Sequence, residues 1–377
     1  MNNPAIRTIL CVHQGYELYG SDRSFLLSIK AVKKYYPDAH ITALIPQDGP
    51  LVEYLEDVVD TLLIRDIAIV RKNEIKNDLL RFLKKLIPSF KKACHDFRTY
   101  DVVYINTIVV LDYILASFFF KRRSILHIRE IPIGIPRLIF SLLIRMSNAY
   151  LIFNSQHTQD TYKFVHNGRG KVVLNGVQGF LSISPINFSN RKSVRILHLG
   201  RFSSWKGQAL LLDAIAELPE SEKQKIEVHI VGSVFADQHF YKDQLLKQLK
   251  DCDLASFVSI LPFTKVPEGA YQWADIVVVS STKPEPFGRV AIEAMSAGRC
   301  VIAADHGGLL EIISHIENGL FFTANNVSSL SSAITQLINN KLLLMKLGEA
   351  GRETFAKKFT EECYMENFKN SLRSFFC

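Results

Sequence analysis

The stretch Ser280-Ser-Thr-Lys-Pro-Glu-Pro-Phe-Gly-Arg-Val-Ala-Ile-Glu-Ala-Met-Ser-Ala-Gly298 follows the apolar run Ala274-Asp-Ile-Val-Val-Val279, and together they fix the fold class. The run is short, β-branched and nearly unbroken, as in a strand buried on both faces of a parallel sheet. Pro284 and Pro286 bracket Glu285 and keep it out of helix, whereas Arg289 to Ala297 are mostly good helix formers and Gly298 supplies a left-handed stop. A helix is therefore expected to begin near Gly288. Its N-terminal amides, around Phe287, Gly288, Arg289, Val290 and Ala291, would lie at the carboxyl end of the sheet, where open α/β folds bind ligands and helix dipoles favour anions.

Two carboxylates frame that phosphate-type geometry. Glu285 precedes the helix and Glu293 lies within it, and each could accept hydrogen bonds from sugar hydroxyls on either side of a diphosphate. Taken singly, either acid reads as an ordinary loop or helix-face residue. The pair framed by Pro, Phe and Gly at a strand-to-helix turn favours a ligand.

Upstream, Val194-Arg-Ile-Leu-His-Leu-Gly-Arg-Phe-Ser-Ser-Trp-Lys-Gly207 is a strand running into a loop with Gly200, Arg201 and Lys206. Two cations at a strand's carboxyl end suit a diphosphate, one as a bidentate fork and one as a point charge. Ile226 to Val231 leads to another glycine turn at Gly232, and Val258 to Leu261 leads to Pro262-Phe263. Asp251-Cys-Asp253 spells D-x-D but falls where a helix over 242–250 should end, so no metal site is expected.

The first half also alternates strands and helices: strands at 8–12, 40–45, 102–105, 124–128 and 149–154, with a helix over 24–35. The loop His13 to Ser24 holds Gly15 and Gly20 without the G-x-G-x-x-G dinucleotide fingerprint. Ile125-Leu-His-Ile-Arg-Glu-Ile-Pro132 is a strand ending in the polar cluster His127, Arg129 and Glu130. Residues 78–97 place Leu79, Leu80, Leu83, Leu86 and Ile87 on one helical stripe with lysines largely off it, and Pro88 is expected to break the run. That segment suits either a core-facing helix with a basic outer face or a helix lying on an anionic membrane, aided by Phe82, Phe90 and Lys121-Arg-Arg123.

The 377 residues, 48% of them hydrophobic, suffice for two domain cores. The apolar stretches fall short of the roughly 20 residues that span a bilayer, and no signal peptide is expected. Six scattered cysteines without C-x-x-C spacing read as reduced and mostly buried. Residues 1–180 hold 24 Lys+Arg against 16 Asp+Glu, whereas 181–377 hold 21 of each, so the formal charge of +8 belongs to the first half. Such a half suits an anionic lipid surface or nucleic acid as partner; no base-stacking platform or nucleic-acid module accompanies it, so nucleic acid is the less favoured.

The run E-P-F-G-R-V-x-x-E-A-M-x-x-G from Glu285, followed by His306-Gly-Gly308, resembles glycosyltransferase family 4, the retaining enzymes of the GT-B fold. The likeness is specific over about 194–322. It implies an α/β chain of two Rossmann-like doubly wound domains facing a central cleft: an acceptor domain over 1–178, a linker over 179–193 and a nucleotide-sugar domain over 194–360. A C-terminal helix over 361–377 would cross back to the first domain. By resemblance Glu285 contacts the donor sugar, Glu293 the ribose, the amides of 287–290 and the cations Arg201 and Lys206 the diphosphate, and Gly200, Gly232 and Phe263 the nucleotide. His127 matches the family's H-x-R-E segment, whose histidine reaches the donor sugar; Arg129 and Glu130 fall on the acceptor side or are structural. Gly20 matches the family's glycine loop, with Ser21 in place of a second glycine. Val172 to Val177 is similar to the hinge segment P-N-G-V-D, with Leu174 and Gln178 in place of Pro and Asp. The implied activity is transfer from a UDP-, GDP- or dTDP-sugar, without metal or other cofactor, to a glycan or lipid-linked acceptor. The implied setting is cytoplasmic, peripheral on the inner membrane face, in O-antigen or capsule synthesis. Nucleotide-sugar epimerisation or hydrolysis on the same fold is the alternative.

Overall fold

The computed structural model describes residues 6–70, 79–121, 123–165, 168–180, 182–234, 239–264 and 266–376. Two compact units divide the chain: Met1–Asn175 with Glu361–Cys377, and Gly176–Thr360. Each is built on one parallel sheet with helices on its faces, a Rossmann-like α/β arrangement.

The first unit contains β1 (Thr8–Val12), β2 (His40–Ile45), β3 (Thr61–Ile64), β4 (Val102–Ile105), β5 (Ser124–Ile128), β6 (Tyr150–Phe153) and β7 (Gly170–Val172). They lie in the order β3-β2-β1-β4-β5-β6-β7, every pair parallel. Alternation along β1 sends Ile9 and Cys11 to one face and Leu10 and Val12 to the other, so two cores form. One is covered by the helices Gly20–Tyr35, Leu51–Glu56 and Glu361–Phe376; the last contributes Tyr364, Phe368, Leu372 and Phe375. The other is covered by Leu79–Thr99, Leu111–Ser117 and Ile135–Met146.

The second unit contains β8 (Val194–Leu199), β9 (Ile226–Gly232), β10 (Val258–Pro262), β11 (Ile276–Val279), β12 (Cys300–Ala304) and β13 (Leu320–Phe322), in the order β10-β9-β8-β11-β12-β13 and all parallel. The strand order reverses between β8 and β11, so the loops after these two strands meet where such sheets take ligands. Within 179–193, Ile183 and Ile186 are buried and Arg191 forks onto the buried Asp275 carboxylate, so this Ser-, Pro- and Asn-rich stretch packs on the second unit.

Three local expectations need correction. The first helix begins at Gly20 rather than Ser24, because the buried Asp22 carboxylate accepts the Tyr19 N–H at 2.9 Å and secures an earlier first turn. The helix Leu79–Thr99 runs through Pro88 without breaking. Pro88 is exposed while Phe82, Ser89, Ala93 and Phe97 are buried, so packing of that face outweighs the lost backbone bond. Phe82 consequently serves the core, whereas Leu80, Leu83 and Ile87 face out. Asp78, the side chain of Leu79, Arg122 and Cys377 lie outside the described residues.

Candidate active site

Lys206 and Glu285, 79 positions apart, meet at 2.7 Å between Nζ and Oε1. The loop after β8 brings Lys206, and the loop after β11 brings Glu285. Gly207 makes the approach possible: its φ is +79°, and a Cβ there would lie 1.8 Å from the Ser280 carbonyl oxygen. Ser280 Oγ donates to the Gly207 carbonyl at 2.8 Å, and the Thr282 N–H to that of Trp205 at 2.7 Å, which ties the two loops together. The Glu285 loop is held from its other side as well. His306 Nε2 lies 2.8 Å from the Ser281 carbonyl, the Gly308 N–H donates to the Glu285 carbonyl at 2.8 Å, and a Cβ at Gly308 would meet Phe287 Cα at 2.5 Å.

Burial alone would raise the Glu285 carboxyl, but Lys206 beside it and the donated Ser281 hydroxyl hold it below the ordinary carboxylate range. It is therefore an anion at neutral pH, 7% exposed, with both of these partners on Oε1. His198, at the end of β8, is pushed down to about 4 by burial, despite its contact with the Lys206 carbonyl at 3.0 Å. Its neutral ring underlies the Lys206–Glu285 pair without adding charge.

The helix Arg289–Ser296 starts immediately after Gly288, with Phe287 buried beneath its first turn. A helix start carries N–H donors that its own carbonyls cannot satisfy, so this tip is chemically suited to phosphate oxygens. Arg289 and Val290 are partly exposed there. Glu293, one turn in, accepts from Arg289 Nη2 at 3.2 Å and from the Tyr271 hydroxyl at 2.9 Å. The Gly200 and Gly232 turns adjoin: a Cβ on Gly232 would lie 2.1 Å from the Gly200 carbonyl oxygen. Arg201 is partly exposed in that loop, its carbonyl accepting from Gln208 Nε2 at 3.0 Å. Phe263, after β10, is 38% exposed.

His127 sits in the first unit at the end of a buried polar relay. Asp22 accepts from His13 Nε2 at 2.8 Å; Asn106 Nδ2 lies 3.0 Å from His13 Nδ1; Asn106 Oδ1 accepts from the Tyr104 hydroxyl at 2.8 Å and from Arg129 Nε at 2.9 Å. Arg129 also donates through Nη1 to Asn175 Oδ1 at 2.7 Å and through Nη2 to Ser28 Oγ and His127 Nδ1, both at 3.2 Å. Ser28 in turn bonds the Tyr364 hydroxyl at 2.7 Å. The Tyr104 hydroxyl lies 2.8 Å from the same Nδ1. His127 Nε2 is buried and has no hydrogen-bond partner among the described residues. Burial and the neighbouring Arg129 charge hold the imidazole well below its usual range, so it remains neutral.

Glu130 accepts from the Thr107 hydroxyl and, at 3.3 Å, from the Ile108 N–H, and burial raises its carboxyl. Gly20 and Ser21 lie exposed in the first turn of their helix. Asp251 ends the helix Phe240–Asp251, and Asp253 adopts a left-handed φ of +51°, so the two carboxylates belong to a helix terminus. Among the described residues no group of three or more His, Cys, Asp or Glu side chains could hold a metal ion.

Residues 180–354, nearly the whole second unit, match the family described as Glycosyl transferases group 1. The chain is a glycosyltransferase. It is 27% identical over 359 residues to the uncharacterized glycosyltransferase MJ1178 of Methanocaldococcus jannaschii, covering 88% of this chain and 94% of that protein. A mannosylfructose-phosphate synthase of Agrobacterium fabrum is 29% identical over 193 residues, 47% of this chain and 41% of its own. In structure the glycosyltransferase superposes on Anabaena HepE, solved in complex with UDP-glucose, with a TM-score of 0.81 at 23% identity, over 97% of this chain and 99% of that one.

Several residues that hold the candidate side chains within each unit were not singled out by sequence. Tyr271 and Ser281 bond the two glutamates, His198 underlies Lys206, and Asn106 and Asn175 hold Arg129. Only His198 left a visible mark, as the polar residue in the apolar strand Ile196-Leu-His-Leu199 next to a glycine.

Proposed function

We propose that this glycosyltransferase moves a sugar from a nucleoside diphosphate donor to a hydroxyl of a glycan or lipid-linked acceptor, with retention at the anomeric carbon. The 2.7 Å pair of Lys206 and Glu285 beside the tip of helix Arg289–Ser296 carries the reading. A fixed cation beside a fixed anion suits a diphosphate and the sugar it carries. Lys206, Arg201 and the helix amides stabilise charge that develops on the departing diphosphate. Glu285 accepts from a donor-sugar hydroxyl and Glu293 from the ribose, with Gly20, Gly200, Gly232 and Phe263 as further donor contacts. His127 contacts the donor sugar. Ser21, Arg129 and Glu130 are assigned to the acceptor side.

The bond from the anomeric carbon to the diphosphate breaks as that carbon bonds the acceptor oxygen on the same face. The acceptor proton passes to the departing phosphate, leaving a nucleoside diphosphate. No carboxylate is asked to be a nucleophile, and no metal to be a Lewis acid. The basic first half supports an acceptor at an anionic membrane surface, and we place the enzyme peripherally on the cytoplasmic face, in bacterial surface-polysaccharide assembly.

UDP is the first nucleotide to try, because the Anabaena protein was solved with UDP-glucose. Thermal unfolding with UDP, GDP or dTDP should show stabilisation by one of them, following RT ln(1 + [L]/Kd). If none raises Tm at millimolar concentration, the donor assignment fails. NMR of the glycoside product should show the donor's anomeric configuration, and inversion would exclude the same-face route.

A further inference from the structure

The helix Ile135–Met146 buries Phe140 and Ile144 in the core beside β5 and β6, yet its opposite side is apolar as well. Ile135, Leu138, Ile139, Leu142 and Met146 are 72%, 70%, 53%, 57% and 52% exposed. At 100° per residue they fall within about 60° of one line, a stripe roughly 16 Å long. A helix apolar on both sides in water implies that something covers the outer one.

The same outer surface continues sideways. The helices Leu79–Thr99, Leu111–Ser117 and Ile135–Met146 lie side by side on one face of the first unit's sheet. Leu80, Leu83 and Ile87 are exposed on the first of them, at 73%, 43% and 62%, and Phe119, just beyond the second, is 72% exposed.

Charge distinguishes between possible covers. Residues 79–159 contain 12 Lys and Arg against four Asp and Glu. Asp96 and Asp112 are buried, Glu130 is part-buried under Thr107, and Asp101 is engaged by the Arg7 and Thr8 N–H groups. Lys84, Lys91, Lys92, Lys121, Arg123 and Arg145 are all exposed. An outer surface that alternates bare hydrocarbon with lysine and arginine suits the headgroup boundary of an anionic bilayer, where apolar side chains enter the acyl region and cations meet phosphate. No helix among the described residues is long and apolar enough to cross the membrane.

We infer that the Ile135–Met146 stripe, flanked by Leu80, Leu83, Ile87 and Phe119, seats the first unit on anionic lipid. The inference deepens the membrane element of the proposed function and does not depend on the sugar chemistry, since none of these side chains is assigned to the donor.

Flotation of the full chain with phosphatidylcholine vesicles, with and without phosphatidylglycerol, tests it. The wild type should float with the anionic vesicles and less with neutral ones. Leu138→Asn/Leu142→Asn, which changes exposed side chains only, should lower the partition at least about tenfold. Lys91→Glu/Lys92→Glu should also lower it, with a smaller difference from wild type at high salt. Equal flotation of the leucine variant and the wild type overturns the inference, as does failure of the wild type to float. A wild-type dimer in sedimentation velocity that the leucine variant abolishes, without flotation, would assign the face to a second copy instead. UDP, GDP and dTDP stabilisation, measured on the same variants, reports separately: its absence with flotation retained removes the donor assignment and leaves the membrane seat standing.

Discussion

Arg129 Nη2 stands 3.2 Å from His127 Nδ1, and burial together with this permanent cation keeps the ring neutral. Nitrogen-15 NMR of ring-labelled protein should therefore show a neutral His127 ring at pH 6. Arg129→Gln should introduce an acid limb into kcat/KM as the ring becomes able to protonate, at a stability cost of about 2–3 kcal/mol. A protonated His127 in the wild type at pH 6 would refute the assignment.

The two depressed histidines also set the sense of acid destabilisation. Unfolding returns a histidine to its ordinary pKa near 6.5, so below that pH the unfolded chain binds more protons and stability falls with pH. For His198, pushed down to about 4, the loss by pH 5 is about 2 kcal/mol. Urea melts at pH 7 and pH 5 should show that loss in the wild type and a smaller one in His198→Gln.

Lys206→Met should reduce kcat about 10²–10³-fold, the range for losing one preorganised charge partner of a leaving group. It should also destabilise the fold by about 3 kcal/mol, because Glu285 is left buried without its cation. Lys206→Met/Glu285→Gln should recover most of the stability and none of the activity. Recovery of turnover in the double variant would show that Lys206 served only to neutralise Glu285.

Tyr271→Phe removes the hydroxyl that holds one Glu293 oxygen while leaving Arg289 on the other. The expected result is a donor KM raised about threefold to tenfold with kcat nearly unchanged, as for a contact used equally in ground and transition states. A collapse of kcat at constant KM would instead place Glu293 at the reacting bond.

Asp251→Ala should leave turnover within about twofold of wild type, because the carboxylate belongs to a helix end away from the Lys206–Glu285 pair. Chelation with EDTA should likewise leave the rate unchanged. A metal-dependent rate lost in the Asp251 variant would return the D-x-D run to the chemistry.

Much of this was legible before any coordinates. Short β-branched runs such as Ile276–Val279 mark buried parallel strands whatever surrounds them, and the proline bracket around Glu285 fixes a loop by local sterics alone. Long-range partners were not legible. Tyr271 reaches Glu293 across 22 positions and Asn175 reaches Arg129 across 46, and neither residue type announces a partner. The segment 78–97 left two readings open for a different reason. Its leucine stripe has helical period, but so does the set Phe82, Ser89, Ala93 and Phe97, and periodicity does not say which of two apolar faces finds the sheet. The same ambiguity hid the Ile135–Met146 stripe, since a helix apolar all round reads as core.

Because Glu361–Phe376 completes the hydrophobic interior begun by Ile9, Cys11 and Phe25, the first unit is interrupted in sequence by the whole of the second. On the ribosome its β1–β7 sheet must wait, one side still open to water, until some 185 residues of another domain have been made. The part of the enzyme translated first is thus the last to be able to finish folding, and a chaperone has a defined surface to guard in the interval.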